Sequence, residues 1–329
     1  MFSPSRRRLL IRGSILGVAA TTGGLAFAAP ASTLRIGYQK SSTLITVLKA
    51  QGKLEAALAP LGVSVSWSEF ASGLPLTEAL NAEAVDFSAD VADTVPIFAQ
   101  AAHARFVYVA QEAPSPGAQA IIVRRAGALH TLADLRDKDI AVTKAAGSHY
   151  LLLAALAHAN VPADAVRIHY LTPADGRAAF EHGSVDAWVT WDPYVASVDQ
   201  QPDVRILADG KGFATYQRYY LASTRFAEAR PDVIAVVYAQ LCSAGQWVRS
   251  APQDAAQLLA PIWGLDASTI ERANARRSYL VREVSRANFG EQQTIADTFF
   301  NAHLLPAAVD TAHAERWDFA QKHAVAVGA

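Results

Sequence analysis

Two pieces of this 329-residue chain occur twice, in the same order and roughly one hundred positions apart, and that duplication limits the folds open to it. Ile36-Gly37-Tyr38-Gln39-Lys40-Ser41-Ser42, followed by an apolar helical run, has a counterpart in Ile140-Ala141-Val142-Thr143-Lys144-Ala145-Ala146-Gly147-Ser148. Ala79-Leu80-Asn81-Ala82-Glu83-Ala84-Val85-Asp86 matches Ala179-Phe180-Glu181-His182-Gly183-Ser184-Val185-Asp186. The simplest reading is two similar α/β lobes, each offering strand ends and helix N-termini to a common cleft.

Apolar runs of strand length alternate with helical periods through most of the chain, as expected for open sheets with crossover helices. The predicted strands are Leu34 to Tyr38, Val63 to Phe70, Val85 to Ser88, Phe106 to Ala110, Ala120 to Arg124, Asp139 to Val142, Val166 to Leu171, Val185 to Thr190, Val204 to Ala208 and Tyr219 to Ser223. Beyond Arg225 the pattern reads as helical to the end. One lobe is expected over 121–216 and the other from both flanks, 29–120 with 217–329. The chain then crosses between lobes near Ser115-Pro116-Gly117 and again from Gly212 to Tyr216, and two crossovers beside a cleft are natural hinges.

Residues 1–28 read as an export signal: Arg6-Arg7-Arg8, a short run rich in Ala, Gly and Leu, and Ala26-Phe27-Ala28 as a small-x-small cleavage site. The signal is of twin-arginine or ordinary Sec type, and the run is too short to span a bilayer. With no cysteine at the cleavage site, a free periplasmic protein starting near Ala29 is expected. About 300 residues then remain, more than one core usually serves. A net charge of −1 lacks the basic footprint of a nucleic-acid binder. Cys242 is the single cysteine, so an intramolecular disulfide or a cysteine-based metal cluster is excluded, and a buried, inert thiol is expected.

The densest chemistry lies from Leu171 to Tyr194: a loop, a helix, a strand, and then Trp191-Asp192-Pro193-Tyr194. Trp188 is assigned to core packing and Trp191, past the strand, to the cleft; Asp192 before a proline suits a cap on a following helix. Gly147-Ser148-His149 opens an apolar helix, with Ser148 fit either for a plain N-cap or for an anion site at the helix start. Asp93 or Thr94 suits the cap of the helix carrying Pro96. Tyr216-Gln217-Arg218-Tyr219-Tyr220 brings rings and a cation to the second crossover, and Arg218 has the fixed paired donors that anions favour. The nine histidines form no metal pair, His103 and His130 read as surface residues, and no nucleophile elbow, phosphate loop or dinucleotide fingerprint occurs.

Pro96-Ile97-Phe98-Ala99-Gln100-Ala101-Ala102, Tyr170-Leu171-Thr172-Pro173-Ala174-Asp175, and Val185-Asp186-Ala187-Trp188 with Trp191-Asp192-Pro193-Tyr194 make nearly all of the chain resemble the periplasmic aliphatic sulfonate-binding proteins of ABC importers, within the nitrate, sulfonate and taurine group. The resemblance implies a type II, Venus-flytrap fold that closes on a sulfonate and delivers it to a permease powered by an ATPase. The receptor is expected to be a monomer without cofactor, metal or catalytic residues. The contacts it implies are Gln39, Ser41 and Ser42, the Gly73 turn, Ala92 and Asp93, Gly147, Ser148 and His149, and Trp191 with Asp192; the paired donors of Arg218 add it to the set. Receptors for taurine, nitrate or a thiamine precursor, and pyrimidine-precursor synthases on a similar scaffold, are the competing readings.

Overall fold

The structure, a computed structural model, describes residues 32–320, so the expected export signal and cleavage site lie outside the described residues. From the N-terminal side, β1 (Ser32–Gln39) leads through α1 (Thr43–Gln51) and α2 (Lys53–Leu58) to β2 (Val63–Phe70). Next come α3 (Gly73–Asn81), β3 (Phe87–Ala92), α4 (Val95–Ala101) and β4 (Phe106–Glu112). The middle of the chain holds β5 (Gln119–Arg124), β6 (Asp139–Val142), α5 (Gly147–His158), β7 (Arg167–Tyr170), α6 (Pro173–Glu181), β8 (Ala187–Trp191) and β9 (Val204–Asp209). After β10 (Arg218–Ser223) follow α7 (Thr224–Ala229), α8 (Pro231–Ser250), α9 (Pro252–Trp263), α10 (Ala267–Ala275), β11 (Val281–Arg282) and α11 (Phe289–Asn301).

These strands form two sheets, β11-β4-β10-β3-β1-β2 and β7-β6-β8-β5-β9. Without the two-residue β11 the orders match: β1, β2, β3, β10 and β4 correspond to β6, β7, β8, β5 and β9. Among these five matched strands one runs antiparallel in each sheet, β10 between β3 and β4, and β5 between β8 and β9; β11 adds a further antiparallel strand beside β4.

The duplication extends to single hydrogen bonds. Asp86 accepts from the amide of Arg35 (2.9 Å) and returns its own amide to the Arg35 carbonyl (2.7 Å). Asp186 does the same with Asp139, at 2.9 and 2.7 Å. The helix exits agree as well: Ala84 donates to Ala79 and Ser184 to Ala179, both at 2.9 Å.

Strand alternation sorts side chains between helical layers. Leu34, Ile36 and Tyr38 of β1 face α1 and α8, whereas Gly37 between them lets Leu76 of α3 approach the sheet. In the second lobe Ile121, Val123, Ala187 and Val189 pack under α5, and Ala120, Ile122 and Trp188 lie with Phe180 of α6. Trp188 is a core residue as expected, 1% exposed, and Gly176 gives its indole room.

Three local expectations are corrected. The third strand runs on to Ala92, because Asp90 is buried as an ion-pair partner and does not end the strand. The C-terminal part is not helical throughout: β11 adds to β4, and the stretch after Asn301 holds a short 3-10 turn and a bridge from Arg316 to Tyr108. Cys242 is half-buried, with its thiol pKa raised by burial, and does not belong to the sealed core.

Candidate ligand-binding site

The crossovers lie side by side. The amide of Ser115 donates to the carbonyls of Thr215 (3.0 Å) and Tyr216 (3.3 Å), and that of Gly210 donates to Pro116 (3.0 Å). Beside them the lobes touch: Thr94 Oγ1 donates to the carbonyl of Ala145 at 2.6 Å. Ala146 and Trp191 of the second lobe pack with Leu76, Val91, Ala92 and Val95 of the first and with Tyr216 of the crossover. Gly147 is required there, since a Cβ would stand 2.5 Å from the Tyr216 ring and 3.2 Å from Ala92.

Gly147 and Ser148 are the first two residues of α5, whose opening amides have no acceptor within the helix. Ala146 holds the N-cap position, which corrects the expected Ser148 cap; the Ser148 hydroxyl, one residue too far in, has no hydrogen-bond partner. His149 is fully buried against Tyr170 and Phe299. Its Nδ1 accepts from the Ala145 amide (3.3 Å), which assigns the proton to Nε2, a buried donor without a partner. Burial, with the Lys144 charge nearby, lowers its pKa to about 4, so the ring is neutral.

Trp191 is the last residue of β8 and does not lie past it; its indole N–H is buried without a partner, in edge contact with Tyr194. Across the strand pair stands Gln119, fully buried with both side-chain amide atoms unpartnered. Sequence reading missed Gln119; the signal was a lone amide opening an otherwise apolar strand. Asp192 does not cap a helix, because only turns follow Pro193. Its carboxylate takes the Ala196 amide (3.0 Å) and Arg276 Nη1 (3.0 Å). Burial, opposed by the charge of Arg276, raises its pKa to about 7.

The first-lobe side differs in kind. Ser42, at the N-cap of α1, accepts the Gln39 amide at 3.2 Å, and Gln39 Nε2 donates to the Asp90 carbonyl at 3.1 Å. The Ser41 hydroxyl is buried without a partner. Below lie two arginines and two carboxylates: Arg218 pairs with Asp90, and Arg277 binds Asp90 (3.1 Å), Glu112 (2.7 Å) and the Ser41 carbonyl (2.9 Å). Tyr220 donates to Glu112 at 2.7 Å, and Arg218 Nη2 donates to the Tyr216 hydroxyl at 2.8 Å. Asp90, Glu112 and Arg277 are the members sequence reading missed.

Gly73, at the first position of α3, lies where a Cβ would stand 2.7 Å from Val95, so its small size serves the packing of α3 on α4. Asp93 accepts the amides of Thr94 (3.1 Å) and Gln217 (2.9 Å), and burial raises its pKa to about 7. Thr94 holds the N-cap position of α4 without a side-chain cap bond, its hydroxyl being spent on Ala145. Among the described residues no His, Cys, Asp or Glu group has the arrangement of a metal site, and no helix is long and apolar enough to cross a membrane.

Two lobes of matching topology, tied by two adjacent crossovers and meeting at helix starts, define the type II fold of periplasmic solute-binding proteins. The NMT1/THI5-like family model matches residues 60–255. An aliphatic sulfonates-binding protein of Escherichia coli (strain K12) is 37% identical over 305 residues, 92% of this chain and 95% of its own length. Among solved structures, the alkanesulfonate-binding protein SsuA from Xanthomonas axonopodis pv. citri bound to MOPS superposes with a TM-score of 0.82 at 36% identity, covering 88% of this chain and 99% of that one. The aliphatic sulphonate-binding protein SsuA from Escherichia coli gives 0.77 at 38% identity, over 85% and 96%. The chain belongs to the NMT1/THI5-like family, alongside the aliphatic sulfonate-binding proteins.

Proposed function

We propose that the protein is an exported receptor that captures aliphatic sulfonates in the periplasm and passes them to an ABC permease and its ATPase. The observation that carries this reading is the start of α5, where the opening helix amides and the Ser148 hydroxyl are neutral donors without acceptors, and where Trp191, packed in one cluster with Ala146, has a buried N–H without a partner. A sulfonate is a permanent monoanion with three acceptor oxygens and an apolar tail. Neutral donors at a helix N-terminus satisfy one such charge, each charged hydrogen bond contributing about 1.5–3 kcal/mol.

In this reading the head group rests on Gly147 and Ser148, with Ser41 and the Gln39–Ser42 loop closing from the first lobe, and Trp191 lies along the tail. Ala92 and Gly73 keep the wall thin, His149 supplies a neutral donor, Asp93 and Asp192 hold the surrounding backbone, and Arg218 holds the Asp90 carboxylate and the Tyr216 hydroxyl. The lobes divide near residues 120 and 217, the protein acts as a monomer, and it performs no catalysis. The likeness to receptors of about the same length supports transport over chemistry.

The test is identification by mass spectrometry of the small molecule that co-purifies with the protein. An alkanesulfonate is the expected result. Taurine would move the assignment to its aminated relative, and nitrate or a pyrimidine would overturn it.

A further inference from the structure

Tyr216 occupies the return crossover with φ +53, in the left-handed region that aromatic residues seldom enter. Its surroundings hold it there. The carbonyl accepts from Ser115, the hydroxyl accepts from Arg218, and the Arg218 guanidinium, 5.2 Å from the ring centre, is itself paired with Asp90. A side chain anchored at its backbone, its tip and its face does not swing away. The ring is 2% exposed and lies between the lobes: Gly147 of α5 presses on one edge, Ala92 of β3 lies beside that contact, and Trp191 belongs to the same apolar cluster.

We propose that Tyr216 is a specificity-determining residue, a fixed aromatic wedge whose ring sets how bulky a cargo tail can be when the lobes close; this rests on the sulfonate reading above. With the head group at Gly147 and Ser148, Tyr216, packed against Gly147, and Trp191, in one cluster with Ala146, are the rings that flank the tail in this proposal. Trp191 forms one wall. The Tyr216 ring, pinned from beneath by Arg218, forms the other and does not yield. Slim alkyl tails pass between the rings, and a tail with a ring of its own meets the wedge. Gly147 is the matching half of the device, because any larger residue would claim the space the ring fills.

Calorimetric titration of the purified protein with ethanesulfonate and benzenesulfonate tests this. Wild type is expected to favour ethanesulfonate, and Tyr216→Ala to shift the affinity ratio toward benzenesulfonate by about tenfold or more, the scale of a pocket enlarged by several methylenes. Tyr216→Phe, which keeps the ring, should hold the ratio within about twofold of wild type. Should Tyr216→Ala fail to fold, Tyr216→Leu is read the same way, with a smaller shift in the same direction. A ratio unchanged in variants that still bind ethanesulfonate overturns the proposal.

A second arm needs no ligand: Gly147→Ala should lower the melting temperature in wild type and do so far less in a Tyr216→Ala background. Additive effects would contradict the wedge. Binding of neither sulfonate by wild type would instead defeat the sulfonate reading, while the melting arm still decides whether the ring and Gly147 compete for one space.

Discussion

The two walls of the interlobe junction are built on opposite electrical principles. On the first-lobe side Arg218, Arg277, Asp90 and Glu112 are buried and balance one another's charge, with Tyr220 and the Ser41 carbonyl as further partners, while Arg218 Nε, Arg277 Nε and Asp90 Oδ1 keep no hydrogen-bond partner. On the second-lobe side Ser148, His149 and Trp191 are equally buried, carry no charge and keep donors without acceptors. Two cations balanced by two anions leave little net field for a ligand, whereas unpartnered neutral donors cost free energy until an acceptor arrives. Buried donors without partners also occur on the first wall, at the Ser41 hydroxyl, Arg218 Nε and Arg277 Nε, and away from the junction at Trp263, so the grouping of neutral donors at a helix start is what distinguishes this wall. The first-lobe wall is a scaffold of paired charge, with the Ser41 hydroxyl, Arg218 Nε and Arg277 Nε left unpartnered, and the second-lobe wall presents its unpartnered donors at Ser148, His149 and Trp191 without charge.

Breaking the scaffold should be a matter of stability. Arg277→Met leaves Asp90 and Glu112 short of a cation in a dry interior and should cost about 3–5 kcal/mol in chemical denaturation. Where the variant is still folded, its affinity for a sulfonate should change far less.

Breaking the second wall should do the reverse. Ser148→Ala is expected to weaken binding by about 1.5–3 kcal/mol in calorimetry, with unfolding free energy unchanged or slightly raised, because a buried hydroxyl without a partner has been removed. Equal losses of stability and affinity in both variants would erase the contrast.

His149 sharpens it through pH. Its folded pKa lies near 4 against an ordinary 6.5, so the unfolded chain takes up the proton first as pH falls. The stabilising contribution is complete well above pH 6.5 and is lost as pH drops through 6.5 toward 4. Relative to His149→Gln, wild type should lose about 2 kcal/mol between pH 8 and 5. Asp93 and Asp192, with pKa values raised to about 7 by burial, act in the opposite sense, are common to both proteins and cancel in the difference.

The smallest effect concerns the edge where the walls are bolted together. Arg276, just past α10 of the first lobe, bridges Asp192 and Asp199 of the second, and Arg272 donates to the Ala196 carbonyl at 3.0 Å. Both arginines are partly exposed, so Arg276→Gln should weaken every cargo by the same amount, about 1 kcal/mol. A change in cargo preference would place Arg276 in the binding surface itself.

The duplication made the architecture legible in the chain itself, and Val63–Phe70 and Asp139–Val142 were readable to the residue, the first because Val, Val and Trp alternate with Ser after Gly62 and the second because the short apolar run Ile140-Ala141-Val142 is bounded by Asp139 and Thr143. The strand ending at Ala92 was cut short because Asp90 looks like a surface residue until Arg218 and Arg277 are found beside it. Arg277 was invisible for a related reason. In sequence it is one of two arginines after a C-terminal helix, and only the fold brings it to Glu112, 165 positions away. The Gly147–Ser148 helix start was legible as a pattern, but which of Ala146 and Ser148 held the cap depends on a turn of backbone that composition does not reveal. Trp191 was singled out by its neighbours, whereas Gln119, its partner across the strands, required knowledge of the register.

The site answers to one negative charge through neutral donors. Calorimetry of the ligand-free protein with ethanesulfonate and with sulfate tests it most directly. Ethanesulfonate should bind at least about tenfold more tightly, since the second charge of sulfate finds the buried cations Arg218 and Arg277 already paired with carboxylates. Sulfate binding as tightly as ethanesulfonate, or more so, would contradict it.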